Sequence, residues 1–321
     1  MIDVLVRAFT PLILWTGLGA LVSRFLPQTF PRLLGRSLYW IGVPWQIFAL
    51  ARQTDFSTNV GLAPIVTIGT LGSGLILAWL SFQLLFWLKS QRKFAAIAKW
   101  MPPLNRASQG TFTIATMLGN TGFVGLGIIP TLIGSKGDMS WAIFFSITQN
   151  LIGTYGIGVL LASYYSGTNA PDPAWKLVRD VLIVPSLWAF ALGYLTQTVH
   201  FPDWADTLSE SSLLFVIPAS FLLMGMRLSQ LDGFDSLKAA ALPVMLKVLI
   251  LPSFVSIGTT LLGFTGDARL SLVLMSGMPC AFAGLILAEE YDLDRDLAAS
   301  CIALSTIGIL IAVPLWFALW A

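Results

Sequence analysis

The sequence predicts an all-α polytopic membrane protein: ten transmembrane helices in two inverted five-helix repeats, with broken helices 4 and 9. Three observations predict it. The composition suits lipid rather than water, the chain holds ten apolar stretches of membrane-spanning size, and a proline–glycine spacing recurs in both halves.

Of 321 residues, 56% are hydrophobic and 11% charged, with a mean hydropathy of +0.80. A soluble chain this long carries about 25% charge to solvate its surface, so most of this surface must face lipid. Twelve tryptophans fit the interfacial belts of a bilayer-spanning bundle. The formal net charge is only +2 and no basic face exceeds a short loop, which excludes a nucleic-acid partner. Cys280 and Cys301 lie in apolar runs and the single His200 sits in an expected loop, so neither a disulfide framework nor a metal site is indicated, and no cofactor is expected. Met1-Ile2-Asp3 lacks a basic leader region, and the apolar run after it is too long for a cleaved signal; it reads as the first span.

A span needs roughly 20 apolar residues. The ten expected spans are Val4–Leu26, Pro31–Ala51, Gly61–Leu88, Ala107–Ile133, Trp141–Tyr165, Leu177–Val199, Leu208–Met226, Ala239–Phe264, Leu270–Ala288 and Leu297–Trp320. Links are short, the longest being the basic segment Lys89–Arg106. The loops after odd-numbered spans hold Arg24, Arg32, Arg36, Lys89, Arg92, Lys93, Lys99, Arg106, Lys176, Arg179, Arg227, Lys238 and Arg295. The opposite side holds Arg52, Lys136 and Arg269, with Arg7 at the start of the first span. The positive-inside rule makes the odd-numbered loops cytoplasmic and puts both termini outside a multi-pass protein of the cell membrane. The acidic run from Glu289 to Asp296 also falls inside, where acids weigh little in the rule.

The repeat is written in prolines and glycines. Pro11 and Pro185, Gly19 and Gly193, and Pro44 and Pro218 stand in one register, each pair 174 positions apart (185 − 11, 193 − 19, 218 − 44). Duplication predicts such a register, giving a first repeat over 1–165 and a second over 176–321. Five spans is an odd number, so the second copy enters from the opposite face and the halves are inverted. That design recurs in alternating-access carriers.

Corresponding spans in the two halves are interrupted. The fourth carries Gly119-Asn120-Thr121-Gly122 half-way along, and the ninth carries Ser276-Gly277-Met278-Pro279. Glycine costs a helix roughly 1 kcal/mol and proline about 3. Mid-membrane breaks survive only where protein or a watery cavity satisfies the freed backbone. If the chain unwinds at Gly119–Gly122, a half-helix starts near Phe123; if it unwinds at Ser276–Met278, Pro279 suits the first helical position of the next half. Two helix N-termini then aim partial positive charge at one point, which favours an anion such as a carboxylate, with Asn120, Thr121 and Ser276 as neutral donors. The competing reading is that these glycines only permit close helix packing.

The stretch Gly119-Asn120-Thr121-Gly122-Phe123-Val124-Gly125-Leu126 resembles the N-T-G/A-F/Y-x-G-L/I-P signature of the auxin efflux carrier family, with Gly127 in place of the final proline and Pro130 beyond it. Met278-Pro279-Cys280-Ala281, Leu287-Ala288-Glu289-Glu290-Tyr291, and Ser305-Thr306 with Pro314 resemble further motifs of that family. The resemblance covers the whole chain. It implies ten helices in two inverted bundles, helices 4 and 9 crossing as an X, and organic-anion or auxin-like substrates. Asn120 and Pro279 carry over as crossover residues.

Few ionisable residues fall within the spans. Lys247 lies deep in the eighth and is a candidate contact for substrate or for a crossover carbonyl, whereas Arg7 and Glu210 are placed to reach the interface. The candidate substrate-binding residues are thus Asn120, Thr121 and Gly122 at the first interruption, Ser276, Met278, Pro279 and Cys280 at the second, and Gln149, Asn150, Lys247 and Gln46 on other spans. Gln149, Asn150 and Gln46 could equally serve as glue between helices. The expected partners are a small-molecule organic anion and the lipid bilayer, with a homodimer left open. No Asp or Glu sits at mid-depth to carry a coupling ion, so the membrane potential is the expected driving force for efflux. A sodium- or proton-coupled symporter of the bile-acid type is the alternative. A bilayer protease is excluded for want of a paired base, metal ligands or midplane aspartates, and a channel would be told apart by ohmic flux.

Overall fold

The computed structural model describes residues 2–27, 29–53, 61–90, 105–133, 139–166, 185–229 and 235–320. The predicted orientation residues Arg92, Lys93, Lys99, Lys136, Lys176 and Arg179, the first eight residues of the predicted sixth span and the side chains of Lys89 and Glu210 lie outside the described residues. The described chain is all-helical, with no strand among the described residues.

In chain order the helices are α1 (Ile2–Val22), α2 (Thr29–Ser37, Leu38–Gly42 and Val43–Gln53), α3 (Leu62–Ser90), α4 (Arg106–Met117), α5 (Thr121–Gly125 and Leu126–Ile133) and α6 (Ser140–Thr148, Gln149–Gly158 and Val159–Ser166). There follow α7 (Pro185–Leu195), α8 (Asp203–Leu228), α9 (Asp235–Met245, Leu246–Ile250 and Leu251–Leu261), α10 (Gly266–Ser276), α11 (Phe282–Glu290) and α12 (Arg295–Trp320). The middle segments of α2, α6 and α9 and the start of α5 are π-helical.

Five stretches among the described residues are long and apolar enough to cross a membrane: Val6–Phe25, Leu62–Leu88, Ser140–Ser166, Ser236–Leu261 and Arg295–Trp320. Two more apolar helices, Thr121–Ile133 and Leu214–Leu228, are shorter. The α8 helix is long, yet its first turns carry Asp203, Asp206 and Glu210, which leaves only its second half apolar.

Sequence explains the long elements. The 29 residues of α3 rise about 43 Å, and its single internal proline, Pro64, stands in the first turn where a missing N–H breaks no bond. Leu71, Ala78, Phe82 and Leu85 of α3 recur at helical spacing and are buried, while Ile65, Ile68, Ile76 and Trp79 are exposed. One face therefore packs and the other meets lipid. In α9, Pro252 has no N–H to offer the Val248 carbonyl one turn earlier; the Trp316 indole Nε1 donates to that carbonyl instead, at 3.1 Å.

The helices of the two halves pack reciprocally. The α1 helix lies along α8, and α2 lies along α7. The contacts are so close that only glycine fits: a methyl group on Gly19 would stand 2.0 Å from the Leu222 carbonyl oxygen, and one on Gly193 would stand 2.7 Å from that of Phe48. Gly193 follows Gly19 by 174 positions, and Leu222 follows Phe48 by the same interval (193 − 19, 222 − 48). Each close contact is thus the counterpart of the other in the register read from the prolines. Small residues that let backbones touch are the usual means of holding membrane helices together where no hydrophobic force acts between them. The central buried cluster, including Met117, Leu118, Val124, Met275, Met278 and Cys280, surrounds the two interruptions.

Candidate functional site

The two interruptions meet. The α4 helix ends at Met117 and α10 at Ser276, and the extended residues after each run antiparallel to one another, with Gly119 opposite Cys280. The Asn120 N–H donates to the Pro279 carbonyl at 2.6 Å, and the Ala281 N–H donates to the Leu118 carbonyl at 3.1 Å. The freed backbone groups of one break thus satisfy those of the other, as burial away from water requires. Pro279 suits this strand-like role because it lacks an N–H and biases Met278 away from helical geometry. It is not the first residue of the following helix, as its type suggested. Pairing with residues 118–120 holds the chain extended through Ala281, and α11 begins at Phe282.

The groups left over at the bridge are met by side chains from the last helix of each half. Gln149 of α6 donates through Nε2 to the Gly119 carbonyl at 2.5 Å and to Thr121 Oγ1 at 3.2 Å. Ser305 of α12 accepts from the Cys280 N–H at 2.9 Å. On this account Gln149 stands behind the crossover as a support.

The two faces of the crossover differ. On one, the C-terminal ends of α4 and α10 converge on Lys247, whose Nζ donates to the Ser276 carbonyl at 3.0 Å and to the Met117 carbonyl at 3.3 Å. Lys247 has 0% exposure. It projects from the π-helical turn of α9, and such turns recur at functional positions in helices. Gly119 is part of the fit, since a methyl group there would lie 3.0 Å from Lys247 Nζ. Ser276 turns its hydroxyl back to the Val273 carbonyl, at 2.7 Å.

On the other face the N-terminal ends of α5 and α11 border a cavity of about 610 Å³. Asn120 caps α5 by accepting from the Phe123 N–H at 3.4 Å, while its Nδ2 is buried with no hydrogen-bond partner. No side chain caps α11. Asn120, Thr121, Gly122, Phe282 and Ala283 line the inner end of the cavity, with Asn150 and Tyr155 alongside. The lining also includes Arg32, Arg36 and Arg227 together with Glu289 and Glu290, and Arg227 lies 3.9 Å from Glu289.

Of the residues singled out from sequence, Asn120, Thr121, Gly122 and Asn150 therefore share the cavity wall. Met278, Pro279, Cys280, Ser276, Gln149 and Lys247 form the crossover or its support and do not line the cavity. Gln46 is fully buried away from it, with neither side-chain polar atom partnered. Sequence reasoning missed Ser305 as a backbone partner, although it stands in one of the motifs quoted from the last expected span. It also used Arg32, Arg36 and Arg227 only to orient the chain.

A family model described as membrane transport protein matches residues 174–317, which include the second interruption and Ser305. An "uncharacterized transporter" of Methanothermobacter thermautotrophicus is 27% identical over 288 residues, 88% of this chain and 87% of the relative. Another, of Methanocaldococcus jannaschii, is 24% identical over 307 residues, 94% of this chain and 93% of the relative. By these matches the chain is similar to membrane transport proteins over most of its length. The matches, with the apolar helices, support a multi-pass integral membrane transporter rather than an enzyme. The motifs around Asn120 and Pro279 that carry the resemblance are, in this transporter, the residues at which its two broken segments pair.

Proposed function

We propose that the protein is a secondary transporter for the efflux of small organic anions, carboxylates or auxin-like compounds, by alternating access around the crossover. It has ten spans in two inverted five-helix repeats, 1–165 and 176–321, and sits in the cell membrane with both termini outside. The reciprocal Gly19–Leu222 and Gly193–Phe48 contacts support that repeat.

The observation that carries the reading is the unpartnered Asn120 Nδ2 beside two helix N-termini at the inner end of the cavity. Each N-terminus presents roughly half a positive charge. Together they amount to about one charge, which one carboxylate matches, and Asn120 adds a neutral donor. Aromatic rings of Phe123, Tyr155 and Phe282 offer an apolar body room alongside. The cavity opens among Arg32, Arg36 and Arg227, which the positive-inside rule places in the cytoplasm, so this conformation is the inward-facing one. Expelling a monoanion from an inside-negative cell is favourable by about 2.3 kcal/mol per 100 mV.

Two measurements test the proposal. In a thermal-shift screen of the purified protein against carboxylates, indole acids and amino acids, at least one anion raises the unfolding midpoint, and Asn120→Ala removes the response. In proteoliposomes, an inside-negative potential speeds exit of that anion. An unchanged response in the variant removes Asn120 from the site, and indifference to potential removes the driving force.

A further inference from the structure

The buried end of Lys247 has no role in binding an anion on the opposite face, yet it occupies the one place in the crossover where negative charge converges. A helix C-terminus carries roughly half a negative charge, and two of them, at Met117 and Ser276, meet at one ammonium group. The sum is about one negative charge, and one ammonium cancels it. Among the described residues no carboxylate pairs with Lys247, so the carbonyls are its partners. The carbonyl oxygens at 3.0 and 3.3 Å are also the kind of ligand a small hard cation takes.

We propose that Lys247 is a tethered cation: its ammonium permanently holds the position between the two half-helix C-termini that a mobile coupling ion would otherwise fill, so the transporter works without Na⁺. This goes beyond the anion-carrier reading and rests on it only for its consequence in transport. In the proline register the position 174 residues earlier is Ser73 (247 − 174), on the long α3 helix, where its hydroxyl donates to the Gly69 carbonyl at 2.8 Å, so no second lysine stands at the corresponding place. One cation serves both half-helices. The geometry also makes Lys247 a positioning residue, since its Nζ ties Met117 to Ser276 and thereby fixes where the paired segments cross.

The test measures the unfolding midpoint of the purified full-length protein in NaCl, methylammonium chloride and choline chloride at equal ionic strength. The wild-type midpoint is the same in all three. Lys247→Ala opens a space between the two carbonyls; its midpoint falls by about 5 °C or more in choline and recovers at least half of the loss in Na⁺ or methylammonium, which are small enough to enter. Lys247→Gln, which keeps a donor but not the charge, serves if the alanine variant does not fold, and shows the same preference for small cations. A wild-type midpoint that rises in Na⁺ over choline overturns the proposal, as does a variant that small cations and choline stabilise equally. This readout needs no anion, so its failure is distinct from failure of the anion screen. In proteoliposomes, wild-type flux is unchanged when Na⁺ is replaced by choline, while Lys247→Gln flux drops at least tenfold in choline and recovers in Na⁺.

Discussion

The two faces of the crossover are made from the same kind of parts and finished in opposite ways. On the C-terminal face, the ends of α4 and α10 are closed over a fully buried lysine that donates a bond to each. On the N-terminal face, the starts of α5 and α11 border open space, and the Asn120 side-chain Nδ2 has no partner. The difference teaches how a broken helix is divided between structure and function. The face whose groups the chain itself satisfies holds the geometry, and the face left unsatisfied is the one to which the proposed function assigns the anion. Gln149 and Ser305 belong to the first face in this sense, because each satisfies a bridge group from behind.

The comparison breaks most visibly at Gly119, which touches both faces. A side chain there would press on Lys247 Nζ and Cε, at 3.0 and 3.1 Å from a first carbon atom. Gly119→Val is expected to cost about 1–3 kcal/mol from overpacking. Because the displaced lysine releases both half-helices, anion binding should be lost with it. A variant that keeps a normal unfolding midpoint and a normal anion response would show that the faces are independent.

Asn120→Ala should separate the two effects. Loss of the helix cap costs about 1 kcal/mol of stability, whereas loss of a donor to a charged ligand costs about 1.5–3 kcal/mol of binding, a tenfold weakening or more. Comparing the unfolding midpoint with the concentration of anion needed to shift it distinguishes these. Ser305→Ala acts on the closed face alone. It leaves the Cys280 N–H unpaired at a cost of about 1–2 kcal/mol, lowers the midpoint, and changes anion affinity by less than Asn120→Ala does.

The parts legible in the sequence are those fixed by local chemistry. Glycines and a proline in the middle of apolar spans are expensive unless the helix breaks there, and the helices do end at Met117 and Ser276. The 174-residue register likewise lies in the letters, and the close contacts of Gly19 and Gly193 show what those glycines are for. What was not legible depends on groups brought together from far apart. Pro279 reads as a helix start until residues 118–120 pair with its neighbours. Lys247 reads as a contact for substrate or for a crossover carbonyl, and only the fold shows that it reaches two carbonyls from different helices. The arginines of the cavity wall look like orientation signals because the helices that carry them are distant in sequence from Asn120.

Those arginines give the smallest expected effect. Arg36 lies on the cavity wall and is exposed, so water and salt weaken its pull on an anion. Arg36→Gln should therefore weaken anion binding by a factor of about two to five at low ionic strength, and the deficit should fade as salt is raised beyond about 0.15 M, where screening acts within about 8 Å. The half-helix N-termini are buried deeper and should feel salt much less, so the residual affinity of the variant should vary little across the same range. Titrating anion at several salt concentrations, with wild type beside Arg36→Gln, measures both slopes at once. Equal slopes would mean that the mouth does not steer anions and that the inner end alone accounts for their attraction.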